Sequence, residues 1–245
     1  MDPAIAFSPI VFNPAPRVEH VALTQDQFCY VIDDALREPE RLVEFAIAQR
    51  AAFRHADDNA YPGLLLPAIE TISAALGEFF NAHVRRLFDA RRLLNMHARL
   101  ALVTLQPADL GPRQQLCHSD SVGIEASHSI QASVLYLFRD PAFGGTNFYV
   151  PNQRQAQTAR IFHDAGALPR DEFARRYDTA PGYMRDSNRW FRRVASIPAK
   201  WNRLIFYDGA MLHSGDIGAP EQLDADPARG RLTLNGFFRS RRNAA

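Results

Sequence analysis

From residue 98 onward the chain breaks into short β-compatible runs, and this punctuation limits its fold more than any other feature. Residues 98–106, 130–138, 146–150, 203–207, 212–216 and 231–239 each carry apolar or alternating side chains, and Gly, Pro and Asp turns separate most of them. Runs of this kind predict a β-sandwich or barrel in preference to alternating βαβ units. The first third has a different texture. Phe28–Ile32 reads as a short buried strand ended by Asp33 and Asp34, and Pro39 opens a helix that runs through Arg50. Tyr61-Pro62-Gly63 is turn chemistry, and residues 67–90 place Ile69, Ile72, Leu76, Phe79, Phe80, Val84 and Leu87 at helical spacing.

The expected organisation is a single domain over residues 1–245, mainly β with helical support (α+β). Its parts are a proline-rich arm (1–24), a helical support (25–92), a β core (93–150 and 199–240) and a polar, arginine-rich insertion (151–198). The insertion holds nine arginines against five acids. They predict a solvated helical face, with a lid over a barrel mouth as the rival.

Net charge decides against two classes of partner. With 28 basic and 27 acidic residues, the chain offers no electrostatic case for nucleic acid or anionic membrane, so a small-molecule, peptide or protein substrate is expected. Cys29 and Cys117 have neither metal-ligand spacing nor a framework of pairs, which fits a reducing cytoplasm. The first sixteen residues lack the basic start and apolar core of a signal peptide, and no run of eighteen apolar residues occurs.

Chemistry concentrates at Cys117-His118-Ser119-Asp120. In extended chain, residues two apart leave the same face, so the His118 imidazole and the Asp120 carboxylate can close on one ion. A second, distant histidine would complete the two-His, one-carboxylate facial triad that holds non-haem Fe(II) with positions left open. His213 is the leading candidate, because a strand and a turn at Asp208-Gly209 place it at the start of the next strand. His128 is a rival; His20, His55, His83, His97 and His163 lack the context of a ligand. On residues 231–239, strand alternation puts Arg231, Thr233, Asn235, Phe237 and Arg239 on one face and Leu232, Leu234 and Phe238 on the other. An inward Arg231 beside the Thr233 hydroxyl can hold a carboxylate. Cys117 is expected to pack away from the ion, the alternative being a thiol open to oxidation.

Taken in order, these stretches resemble an Fe(II)- and 2-oxoglutarate-dependent dioxygenase of the prolyl-hydroxylase-like branch. The matching segments are Cys117-His118-Ser119-Asp120, Val134-Leu135-Tyr136-Leu137 with Phe143-Gly144-Gly145-Thr146, residues 202–207 with His213, and Gly230-Arg231-Leu232-Thr233. The resemblance implies a double-stranded β-helix core of jelly-roll, cupin-like form. It implies His118, Asp120 and His213 as iron ligands, Arg231 and more weakly Thr233 for the distal carboxylate of 2-oxoglutarate, and Tyr136 for the pocket wall. It further implies O2 as co-reactant, hydroxylation of an amino-acid, peptide or protein side chain, and release of succinate and CO2. The alternative is a cupin-like barrel that binds a metal or small ligand without oxygenase activity.

Overall fold

The computed structural model describes residues 10–55, 61–121 and 123–243. Two antiparallel sheets form the core. The larger has the strand order β1 (Glu19–Ala22), β2 (Phe28–Ile32), β8 (Leu204–Asp208), β5 (His128–Tyr136), β10 (Arg231–Arg241), β4 (Arg92–Val103), β3 (Gly63–Pro67). The smaller has the order β7 (Phe191–Ile197), β6 (Thr146–Pro151), β9 (Leu212–Gly215). From β5 onward the chain passes back and forth between the sheets, with β5, β8 and β10 in the larger and β6, β7 and β9 in the smaller, as in a double-stranded β-helix.

Alternation along β10 divides the core. Leu232, Leu234 and Phe238 face outward from the sheet interior and meet the helices α1 (Glu40–Ala48) and α2 (Glu70–Phe79). Glu40 and Glu70 lie in the first turns of these helices, where the macrodipole favours a carboxylate. Ile72, Leu76 and Phe80 are fully buried there, each stabilising the fold by roughly 2 kcal/mol. A second cluster lies between the sheets and joins Val31, Ala132, Tyr136, Ile205 and Tyr207 to Phe148 and Ile197. A third lies behind the smaller sheet, where α3 (Gln155–Ala167) and α4 (Arg170–Tyr177) pack Ile161, Phe173 and Tyr177 against Leu116, Cys117, Tyr149 and Phe191.

Several sequence boundaries need correction. The helix expected over 67–90 is α2 followed by a π-helical turn at Phe80–Val84 and a 3-10 turn at Arg85–Leu87. The wider turn keeps Phe80 and Val84 buried, with the Phe80 ring stacked 4.2 Å from Phe238. The turn at Tyr61 leads into β3, which pairs with β4, so the segment taken as helical support adds an edge strand to the sheet. The arm is also partly structured: β1 pairs with β2, and Ile10 and Phe12 pack on the helical core, while residues 1–9 lie outside the described ones. The insertion is shorter than 151–198, because β7 pairs along β6. All nine of its arginines are exposed.

Candidate metal centre and adjoining cavity

The His118–Asp120 segment is held by backbone. His118 and His213 exchange N–H···O bonds of 2.9 Å in each direction, forming a one-rung bridge beside β9. The Asp120 N–H and the Ser119 hydroxyl both donate to the Gly209 carbonyl, at 2.8 and 3.0 Å. The loop carrying two candidate ligands is thereby tied to the turn that precedes the third. His213 donates from Nδ1 to the Met211 carbonyl at 3.0 Å, which fixes its tautomer and turns the Nε2 lone pair toward Asp120.

Those ties gather His118, Asp120 and His213 with one donor atom from each within 4.8 Å of the others. Asp120 Oδ1 is 3.9 Å from His118 Nε2, and Oδ2 is 3.5 Å from His213 Nε2. Oδ2 is buried and has no hydrogen-bond partner among the described residues. A desolvated, unpartnered carboxylate oxygen facing two imidazole nitrogens is what a bound cation would satisfy. His118 lines the cavity and keeps 42% of its side chain accessible. Burial, reinforced by His213 and opposed by Asp120, holds its imidazole down to about 4. It is therefore neutral near pH 7, with its lone pair available to an ion. His128 stands apart, 2.9 Å from Arg239 and 3.5 Å from Glu125.

Next to the triad a cavity of about 820 Å³, its open mouth included, runs along the inner face of the larger sheet. Arg231, Thr233, Asn235 and Phe237 line it, as strand alternation predicts. Arg231 is only 4% exposed, and its guanidinium meets the turn before β6. Nε donates to the Phe143 carbonyl at 2.8 Å, and Nη2 to those of Gly144 and Gly145 at 3.2 and 2.9 Å. These contacts occupy part of the fork, and among the described residues they leave the Nη1 edge for a ligand. Gly144 takes a φ of +63°, and a Cβ on Gly145 would lie 1.9 Å from the Ile197 carbonyl oxygen, so both glycines are needed to bring those carbonyls to Arg231. Tyr136 is one layer back from the cavity: its hydroxyl bonds Thr146 Oγ1 at 2.8 Å, and Thr146 is on the wall. Burial, only partly offset by that bond, raises the Tyr136 phenol to about 12.

The sequence pattern does not single out much of the remaining lining. Tyr61, Arg99, Tyr183, Met184 and Tyr207 line the cavity. Burial pushes the Tyr61, Tyr183 and Tyr207 phenols upward, so all three stay protonated. In the sequence Tyr61 reads as part of a turn, and Arg99 as one residue of a strand. The loop after α4 supplies Tyr183 and Met184, so the insertion reaches the cavity through these two side chains while its arginines stay in solvent.

The fold and the site define a double-stranded β-helix with a two-His, one-carboxylate centre beside a deep cavity. The chain belongs to the family of unknown function DUF6445, whose model matches residues 14–238. No curated protein matches at significant similarity. Among solved structures, the chain is similar to SnoK, a non-haem alpha ketoglutarate dependent carbocyclase from nogalamycin biosynthesis. That match has 12% identity over 88% of this chain and 81% of that one, with a TM-score of 0.51. HygX from Streptomyces hygroscopicus, solved with nickel and 2-oxoglutarate bound, is 14% identical over 87% and 82% of the two chains, with a TM-score of 0.44. The likeness to SnoK establishes the fold. No helix among the described residues is long and apolar enough to cross a membrane.

Proposed function

We propose that this protein is an Fe(II)- and 2-oxoglutarate-dependent dioxygenase that hydroxylates an amino-acid, peptide or protein side chain. One observation carries the reading: His118, Asp120 and His213 converge within 4.8 Å at a cavity that also holds the buried Arg231. The fold shared with SnoK supports it. His118, Asp120 and His213 would hold the iron, and Arg231 with Thr233 the distal carboxylate of the cosubstrate. Bound iron, 2-oxoglutarate and O2 together supply the oxidative chemistry that yields succinate, CO2 and a hydroxylated carbon. The chain's own part is positional. The Met211 carbonyl orients His213, the Gly209 carbonyl anchors the Asp120 loop, and Tyr136 steadies Thr146 on the wall. Phe237, Met184 and protonated tyrosines limit water around the reacting carbon. Both cysteines are free and buried, which suits work in a reducing cytoplasm.

The carbonyl contacts of Arg231 favour one second reading, in which this arginine only clasps the turn at Phe143 and the barrel binds a metal or small ligand without oxygenase activity. Incubation with Fe(II), ascorbate, O2 and 2-oxoglutarate, followed by quantitation of succinate, separates the two. The oxygenase forms succinate slowly even without its substrate, and His213→Ala does not. Iron-loaded protein that forms none above a protein-free control supports the binding barrel.

A further inference from the structure

A second guanidinium lines the cavity, that of Arg99, apart from the metal triad and from Arg231. Arg99 lies on β4 directly opposite Asn235 of β10. Its guanidinium carbon is 4.9 Å from the centre of the Phe237 ring and 5.9 Å from that of Tyr61. His97 stacks on Phe237 with centroids 4.9 Å apart and planes inclined by 19°, fixing that ring from the exposed rim. A guanidinium flanked by aromatic rings loses water from its faces and keeps its donors in the plane between them. Among the described residues Arg99 forms no ion pair, its Nε is buried without a hydrogen-bond partner, and the Oδ1 of the adjoining Asn235 is buried without one as well. Burial lowers the Arg99 pKa, so the cation is held at a cost that a ligand would relieve.

We infer that Arg99 and Asn235 form the recognition site for the molecule to be oxidised, and that this molecule is a small carboxylic acid with a hydrogen-bond donor beside its carboxylate and an apolar body. The in-plane edge of Arg99 takes the planar carboxylate, Asn235 accepts from the neighbouring N–H or O–H, and Leu116, Met184 and Phe237 receive the apolar part. Amino acids and their N-acyl derivatives have this shape. Arg231 lies four residues from Asn235 along the strand, about 13 Å away, so the two guanidinia serve two different carboxylates. The inference rests on the oxygenase reading for the word oxidised, but its binding chemistry stands by itself.

The test uses full-length protein loaded with redox-inert Zn(II) and 2-oxoglutarate. Calorimetric titration compares N-acetyl-L-leucine and N-acetyl-L-phenylalanine with their C-terminal carboxamides, and the acids are titrated again without metal and 2-oxoglutarate. At least one acid is expected to bind ~10-fold or more tightly than its amide. Arg99→Gln removes that preference while holding 2-oxoglutarate affinity within about twofold, and Arg231→Gln does the reverse. Equal binding of acids and amides, or no binding of either, overturns the inference. So does an Arg99→Gln protein that loses 2-oxoglutarate as severely as Arg231→Gln, which would assign Arg99 to the cosubstrate. If an acid binds through Arg99 while 2-oxoglutarate does not bind at all, the recognition site stands and the oxygenase reading falls.

Discussion

The backbones of His118 and His213 are bonded to each other in both directions at 2.9 Å, so two side chains of the metal centre leave one rung of sheet. Their separation is therefore set before any ion arrives. Such a site needs little reorganisation to bind metal, and its geometry depends on the segments around it.

The turn that meets Arg231 has little room for change. A Cβ on Gly145 would lie 1.9 Å from the Ile197 carbonyl oxygen and 2.7 Å from the Ala199 nitrogen, both backbone atoms that cannot swing aside. Gly145→Ala should lower stability by about 3 kcal/mol, as overpacking does at a rigid site. It should also weaken 2-oxoglutarate binding, because the carbonyls that orient Arg231 move with the turn. Urea denaturation and titration of the metal-loaded protein check the two effects. A variant with wild-type midpoint and affinity would contradict the role given to this turn.

Acid sensitivity should trace in part to Asp33. At the end of β2 its carboxylate accepts from Arg203 at 2.7 and 3.1 Å and from Lys200 at 2.8 Å, pinning β2 to the start of β8. The Arg203 hydrogen bond, opposed by burial and helped by Lys200, takes its pKa from 3.8 down to about 2. The folded chain thus binds fewer protons than the unfolded chain between those values, so the stabilisation is complete above about pH 4 and is lost as pH falls through about 2. Because a third of the carboxylate is exposed, screening reduces the effect to about 1 kcal/mol. Unfolding midpoints at pH 5, 4, 3 and 2 should fall less steeply for Asp33→Asn than for wild type. Parallel acid limbs would refute the assignment.

The thiol next to the first ligand should be inert. Cys117 is fully buried against Tyr149 and Phe191, on the face opposite His118, and its N–H donates to the Met184 sulfur at 3.3 Å. Cys29 is equally buried between the sheets. Burial raises both thiols, so little thiolate exists to react. A coloured disulfide reagent should label neither cysteine in the native protein and both in denaturant; rapid native labelling of Cys117 would show that its packing is looser than described.

Much of this arrangement is legible where one side chain faces one environment. Phe28–Ile32 coincides with β2, and the alternation from Arg231 to Arg239 correctly separates the cavity face from the helix face of β10. What escaped detection depends on partners distant in sequence. β3 is a five-residue Gly-Leu-Leu-Leu-Pro segment without β-branched residues, and it becomes a strand because β4 is beside it. β7 was hidden among arginines because Arg192 and Arg193 are solvent-facing charges of the kind that suit an edge strand. Arg99 owes its meaning to Phe237 and Tyr61, neither of which is near it in sequence.

The most direct test of the central claim is an anaerobic titration of apo-protein with Fe(II) and then 2-oxoglutarate, following the weak visible charge-transfer band of an iron-chelated 2-oxoacid. Wild type should develop the band, His118→Ala should abolish it, and Arg231→Ala should shift its appearance to at least ~10-fold higher 2-oxoglutarate. No band in wild-type protein shown to hold one iron per chain would contradict the account and leave a metal-binding barrel without this cosubstrate.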